Sequence, residues 1–126
     1  MDHIFNENQP IYLQIIQKIY SKILCGEYQP GDKLPSVIEA AMIYKVNHNT
    51  IAHVYSEIIH AGIGVTRRGE GTFITEDQTV LKELHNSMRK SLLDNFVGEM
   101  RSYGYNSSEI LEALKQTLKE EPNDEG

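Results

Sequence analysis

The chain has a single cysteine, Cys25, in 126 residues. No intramolecular disulfide can form, and multi-cysteine zinc sites are excluded. Apolar runs are also short. None approaches the roughly 18 residues needed to span a bilayer, so no membrane partner is expected. The opening MDHIFNENQP has neither a positive n-region nor an apolar core, and so does not read as a signal peptide. Together these absences lead to the expectation of a cytoplasmic protein. The five histidines, His3, His48, His53, His60 and His85, show no tight ligand spacing such as H-x-x-x-H. No metal and no cofactor are expected. No motif supports Ser-His-Asp catalysis, and the chain is not read as an enzyme. Cys25 itself, at the end of an amphipathic segment, is expected to be a small packed or half-buried residue.

Positive charge is in short supply, with a formal net charge of −6. That would normally argue against a nucleic-acid binder, but the deficit is uneven. Residues 1–75 carry 7 acidic and 6 basic side chains, whereas residues 76–126 carry 11 and 6. The acidity is concentrated in the second part. A local basic patch, rather than the global charge, decides whether the first part can meet a polyanion.

What is present is organised around residues 34–74. Ser36-Val37-Ile38-Glu39 fits a capping box and predicts a helix start, with Pro35 keeping Leu34 extended. Asn47 is a good N-cap for a second helix. Along it Ile51, Val54, Tyr55 and Ile58 follow the i, i+3, i+4, i+7 pattern of a buried face. His48, Asn49, Ala52, His53 and Ser56 fall on the rest of the cylinder, and Gly62 stops the helix. Val65-Thr66-Arg67 and Thr72-Phe73-Ile74 are short β-prone runs around a Gly69-Glu70-Gly71 turn. Two short helices and a basic-tipped hairpin make a winged helix-turn-helix.

Ahead of this motif, residues 1–9 read as a polar arm. Pro10 favours a helix start, and Ile15, Ile19 and Ile23, with Ile11, Ile16 and Leu24, predict a helix over about 11–25. Gly26 ends it, and Lys33-Leu34 is a candidate short strand against the wing. After the motif, Glu76-Asp77-Gln78 marks a boundary. A long amphipathic helix is predicted from about Thr79 to Tyr103, its stripe made of Val80, Leu84, Met88, Leu92, Phe96 and Met100. Gly104 breaks it. Asn106-Ser107-Ser108-Glu109 opens a closing helix to about Lys119, carrying Ile110, Leu111, Leu114 and Leu118, and residues 120–126 read as an acidic tail. The apolar stripe is too extensive for the short closing helix to cover. A second copy of the chain is the expected partner, through Val80, Leu84, Met88, Leu92, Phe96, Met100, Ile110 and Leu114. The fold class is therefore α+β, with a winged helix-turn-helix over 1–75 and a two-helix dimerisation region over 76–126.

The ordered motifs Pro10-Ile11-Tyr12, then residues 26–36 (GEYQPGDKLPS), then Asn47-His48-Asn49-Thr50, then residues 67–73 (RRGEGTF) resemble the GntR family of bacterial transcription regulators. Val37, Asn49-Thr50 and the short C-terminal part resemble its YtrA subfamily. The resemblance implies a dimeric, sequence-specific DNA-binding regulator, most simply a repressor on an inverted-repeat operator. It implies DNA contact by Ser36, Asn47, His48, Asn49, Thr50 and His53 on the two helices. On the hairpin it implies contact by Arg67, Arg68, Gly69 and Thr72. Asn can pair with adenine and a Thr methyl can pack on thymine. Arginines at a wing tip can neutralise phosphates or enter a minor groove. A small-molecule effector, if there is one, belongs between the apolar C-terminal helices. The chain departs from the family pattern at five positions. Ile38 and His53 replace common basic residues, Lys45 a turn glycine, His48 a proline, and Gly64 an apolar wing residue. The lost positive charge leaves an alternative reading open, a winged-helix interaction module that no longer binds DNA.

Overall fold

Seven elements run in the order α1 (Ile11–Leu24), α2 (Val37–Tyr44), α3 (His48–His60), β1 (Gly64–Arg67), β2 (Gly71–Ile74), α4 (Gln78–Ser102) and α5 (Ser107–Glu120). They come from a computed structural model, which describes residues 8–121. The polar arm and the acidic tail expected at the two ends lie largely outside the described residues. The chain divides into two compact units between His85 and Asn86.

In the first unit, each helix begins where its cap residue can take up orphan N–H groups. At α2 the Ser36 hydroxyl accepts from the Glu39 N–H at 3.1 Å, and the Glu39 carboxylate accepts from the Ser36 N–H at 2.9 Å. That backbone bond holds the Glu39 carboxyl below the usual carboxylate range. At α3 the Asn47 side chain accepts from the Asn49 N–H at 2.7 Å. Both starts agree with the sequence expectation. The link between the two helices is tight because Lys45, the C-cap of α2, sits in the left-handed region at φ 57°. A Cβ is disfavoured there, which is why glycine is the common solution to this turn.

The core gathers around α3. Ile51, Val54 and Ile58 are fully buried, with Tyr55 beside them, and they face Ile15, Ile16 and Ile19 of α1 and Ala40, Ala41 and Tyr44 of α2. At ~25 cal/mol per Å² of apolar surface, each fully buried isoleucine contributes roughly 1.5–3 kcal/mol. Burying Tyr55 is unfavourable unless its hydroxyl finds a partner, and it donates to the Pro35 carbonyl oxygen at 2.6 Å. This bond ties α3 to the residue that precedes the α2 cap.

The wing closes against this core. β1 and β2 pair antiparallel, with Val65 opposite Phe73 and Arg67 opposite Gly71. Lys33 bridges Phe73, and the Leu34 N–H donates to the Thr72 carbonyl at 2.8 Å. The short strand expected at Lys33-Leu34 is thus a bridge on the outer edge of β2. Gly64 is buried. A Cβ there would lie 3.2 Å from Ile58 and 3.3 Å from Ile59. The missing side chain lets β1 approach α3 closely, so Gly64 tightens the base of the wing where an absent apolar side chain would be expected to soften it.

Cys25 departs from expectation. It is exposed, not packed. As the C-cap of α1 it lies past the last turn whose inner face is covered, so its Sγ only approaches the Lys22 carbonyl, at 3.6 Å.

The second unit contains the rest of α4 beyond His85, and α5. Gly104, at φ 94°, turns the chain between the two helices, and Asn106 with Glu109 forms the capping box that opens α5. Earlier, the start of α4 is held by Asp77, whose carboxylate accepts from the N–H groups of Thr79 and Val80.

These geometries bear on stability in two ways. Lys45→Gly should stabilise the chain by about 1 kcal/mol, since it relieves a left-handed Cβ; a higher urea midpoint with unchanged slope is the expected reading. The second effect concerns alkaline pH. Burial pushes the Tyr44 phenol up to about 12, with Tyr28 and Glu27 adding to the effect. Burial also raises Tyr55, with Tyr28, Tyr44 and Glu39 adding smaller contributions. Both resist ionisation in the folded chain, whereas unfolded tyrosines ionise near about 10. Their contribution is complete below that pH and is lost as pH rises from about 10 through the folded values. Urea midpoints measured from about pH 9 to 12 should fall less steeply for Tyr44→Phe than for the parent.

Candidate nucleic-acid interface

The first turns of α3 are exposed at their outer side. His48 and Asn49 are exposed and Thr50 is half-buried, while Ile51 points inward and is fully buried. The geometry follows from the helical period: one buried residue every three or four leaves the intervening positions on the surface. Asn47 satisfies only the Asn49 N–H with its side chain. The Thr50 N–H donates to the Asn47 carbonyl, and the helix start lies beside the side chains of His48, Asn49 and Thr50, an arrangement favourable to hydrogen-bonding partners.

His53, one turn further on, is not free-standing. Its ring stacks on Tyr12 of α1, centroid to centroid 4.0 Å with 23° between planes. Its Nε2 lies 3.5 Å from the Glu57 carboxylate. Stacked rings of this kind contribute about 0.5–1.5 kcal/mol beyond their area, whereas an exposed i, i+4 pair is worth only about 0.3–0.5 kcal/mol. Tyr12 is therefore the stronger hold on the imidazole. Ile11, Tyr12, Asn49, Thr50 and His53 together line an open cleft of about 350 Å³. The sequence gives Tyr12 no role in the site, because its place in the first turn of α1 carries no sign of which helix it meets.

The wing supplies the cations. Arg68 is exposed beside Gly69, which takes φ 77° in the turn. Arg67 is more constrained. Its guanidinium lies over the Phe73 ring at 4.1 Å and 3.6 Å from the Glu76 carboxylate. Phe73 is one diagonal step away across the ladder, within reach of a long side chain. Lys33 lies alongside, its Cε 3.0 Å from where a Cβ on Gly71 would stand. Lys33, Arg67 and Arg68 thus gather at one hairpin. Sequence reasoning places Lys33 against the wing but gives it no part in the site, and it misses Glu76, whose contact with Arg67 depends on how the chain leaves β2.

The remaining residues expected at DNA fall as follows. Ser36 is exposed, but its oxygen is engaged in the capping box. Asn47 is exposed and caps α3, and Thr72 is half-buried on β2. A second open cleft, of about 530 Å³, runs between α3 and β2 and is lined by Ala52, Tyr55, Ser56, Ile59, His60 and Thr72, with Val37. Ile38 is 61% exposed at the start of α2 and supplies no charge there.

On α4, Leu84 is buried, Val80 and Met88 are half-buried, and Leu92 and Phe96 are 65% and 38% exposed. Met100 is half-buried, as is Leu114, and Ile110 is buried. Phe96, Glu99, Met100, Tyr103 and Tyr105 line a mostly apolar hollow of about 230 Å³ in the second unit. Among the described residues, no cluster of three His, Cys, Asp or Glu side chains is placed to hold a metal ion. Nor is any described helix long and apolar enough to cross a membrane.

This architecture has known relatives. The family model for bacterial regulatory proteins of the gntR family matches residues 11–74. An uncharacterized HTH-type transcriptional regulator of Bacillus subtilis, YhcF, is 45% identical over 115 residues, covering 91% of this chain and 95% of that protein. The HTH-type transcriptional repressor YtrA of the same organism is 40% identical over 108 residues, covering 85% of this chain and 83% of its own length. A GntR family transcriptional regulator from Listeria monocytogenes superposes with a TM-score of 0.83 at 39% identity, covering 89% of this chain and 98% of the other. The winged helix-turn-helix, the helical C-terminal part and these matches place the chain in one group: it belongs to the GntR family of bacterial transcription regulators, DNA-binding proteins rather than enzymes.

Proposed function

We propose that this regulator is a homodimeric, cytoplasmic repressor that reads an inverted-repeat operator in double-stranded DNA. The observation that carries the reading is the outward-facing start of α3. Asn49, Thr50 and His53 share one cleft there, and the first unit also carries the wing cations Lys33, Arg67 and Arg68. A recognition helix reads bases with its N-terminal residues, and a wing secures phosphates or a minor groove. Arg68 is the phosphate contact of choice at the tip. Arg67, tethered by Phe73 and Glu76, fixes the wing's posture as well as adding charge. Ser36, Asn47, His48, Gly69 and Thr72 complete the proposed surface. Repression is supported by the relative YtrA, which is named as a repressor.

The division of labour proposed is DNA binding by residues 1–75 and pairing by residues 76–126. Support for pairing comes from α4. Leu92 and Phe96 are apolar and exposed in the single chain, and they continue the stripe of Val80, Leu84, Met88 and Met100. Leu84 and Ile110 already take part in burial within one chain, so the exposed middle of the stripe is what a second copy would cover. Two-fold symmetry in the protein then requires two-fold symmetry in the site it reads.

Two outcomes are expected. In binding titrations on an operator selected from genomic DNA, Asn49→Ala should cost about 1–3 kcal/mol and relax sequence preference. Arg68→Ala should weaken specific and mixed-sequence binding alike and lower the salt slope by about 0.9 for each phosphate it leaves without a cation. An Asn49→Ala protein with undiminished preference would remove α3 from the reading role. In light scattering, the full chain should be dimeric. Replacing Leu92 and Phe96 together with glutamate should yield monomers with weaker operator binding, because the second half-site no longer adds avidity. A monomeric parent would refute the pairing.

A further inference from the structure

Tyr12 lies outside the helix-turn-helix, yet it covers one face of the His53 ring on the outer surface of the recognition helix. Its backbone is well anchored. Ile15 and Ile16, one turn further along α1, are buried in the core against α3. Both rings thus stand on anchored backbone, the half-buried Tyr12 on α1 and the His53 side chain, 49% exposed, on α3, and each limits the other through the stack. The Glu57 carboxylate, 3.5 Å from Nε2, meets the ring at the same time, so the stack and this weaker exposed pair together place the imidazole in the cleft it shares with Asn49 and Thr50.

The lining of the shared cleft indicates what the held imidazole meets. Its five residues are Ile11, Tyr12, Asn49, Thr50 and His53, with no lysine or arginine among them. A phosphate would have no full positive partner there. A base edge fits better: the amide of Asn49 matches adenine, and the apolar groups of Ile11 and Thr50 match the thymine methyl. We propose that Tyr12 is a positioning residue for DNA reading: by stacking on His53 it holds the imidazole beside Asn49 and Thr50, and so sets preference for an A·T pair at the base step this cleft faces. The inference rests on α3 being the recognition helix and adds to it a specificity determinant contributed by α1.

The test uses the full chain, its Tyr12→Ala, Tyr12→Phe, Tyr12→Leu and His53→Ala variants, and the double variant Tyr12→Ala/His53→Ala. Each selects from a random duplex library, and each is then titrated on the parent's selected duplex and on a mixed-sequence duplex at one salt concentration. The expected result is that Tyr12→Ala and Tyr12→Leu lose about tenfold discrimination at one A·T pair, with mixed-sequence affinity kept within about twofold. Tyr12→Phe keeps the stack and should keep the discrimination. His53→Ala should lose it at the same pair, and the double variant should lose no more than either single change. Proton NMR of the free proteins gives an independent readout. The His53 ring protons should be shifted upfield in the parent and Tyr12→Phe, and should return toward exposed-histidine positions in Tyr12→Ala and Tyr12→Leu. Should Tyr12→Ala fail to fold, Tyr12→Leu carries the test, because it fills the space without a ring to stack. Unchanged discrimination in Tyr12→Leu, or a loss in Tyr12→Phe as large as in Tyr12→Leu, overturns the proposal. A parent chain that selects no sequence at all instead overturns the reading of α3, and the proposal with it.

Discussion

The burial of one face of α3 is the constraint on which the rest of the winged helix-turn-helix depends. Ile51, Val54 and Ile58 have no exposed surface, and Tyr55 little. Because that face is fully occupied by α1, α2 and the base of the wing, α3 cannot rotate about its axis. The opposite face is thereby fixed in orientation, and the side chains of Asn49 and His53 are presented rather than merely exposed. The Tyr55 hydroxyl on Pro35 adds a directional bond to what is otherwise non-directional packing. A buried phenol without a partner would be destabilising, so the bond also selects the register between α3 and the α2 cap.

The wing shows how a small hairpin is made to hold its posture. Two four-residue strands alone would be marginal in water. Here Gly64 lets β1 lie against Ile58 and Ile59, and residues 31–34 add backbone bonds at the free edge of β2. Phe73 and Glu76 then restrain Arg67. The exposed ion pair contributes little energy by itself; with the ring contact it limits where the guanidinium can go. Of the two arginines at the hairpin, Arg68 is left as the less restrained one at the tip. This arrangement suits a chain with net negative charge, since a few well-placed cations can do what a diffuse surplus does elsewhere.

The second unit follows a different logic. Its helices are joined by a glycine turn and α5 is well capped, but much of the α4 stripe stays exposed. Leu92 and Phe96 are apolar residues on the surface of a single chain, and the hollow beside Phe96, Met100, Tyr103 and Tyr105 is also mostly apolar. Such surface is unfavourable to leave in water, which is the physical pressure behind the proposed pairing. The charge is likewise uneven, with 11 of the 18 acidic side chains lying in residues 76–126.

Local physics made much of this legible in the sequence. Caps are decided by residues close along the chain, so Ser36 with Glu39, Asn47, and Asn106 with Glu109 could be read directly, and the structure contains each. Helical periodicity likewise identified Ile51, Val54, Tyr55 and Ile58 as the inward face of α3. What the sequence could not show depends on which surfaces meet. The stack of Tyr12 on His53 joins residues far apart along the chain, and no spacing rule encodes it; the contact of Glu76 with Arg67 likewise depends on the path the chain takes after β2. Gly64 looks like a weakness in the sequence because a missing side chain reads as lost packing; only the proximity of Ile58 and Ile59 turns it into closer packing. Cys25 differs from expectation for the related reason that a helical stripe predicts a side chain's direction but not where its cover ends. The sequence by itself determined the elements, their caps and the buried face of α3, because these are set by neighbours along the chain. The tertiary structure alone decided which polar side chains share a cleft and how Arg67 is held, because those outcomes depend on which side chains meet in space rather than on their order along the chain.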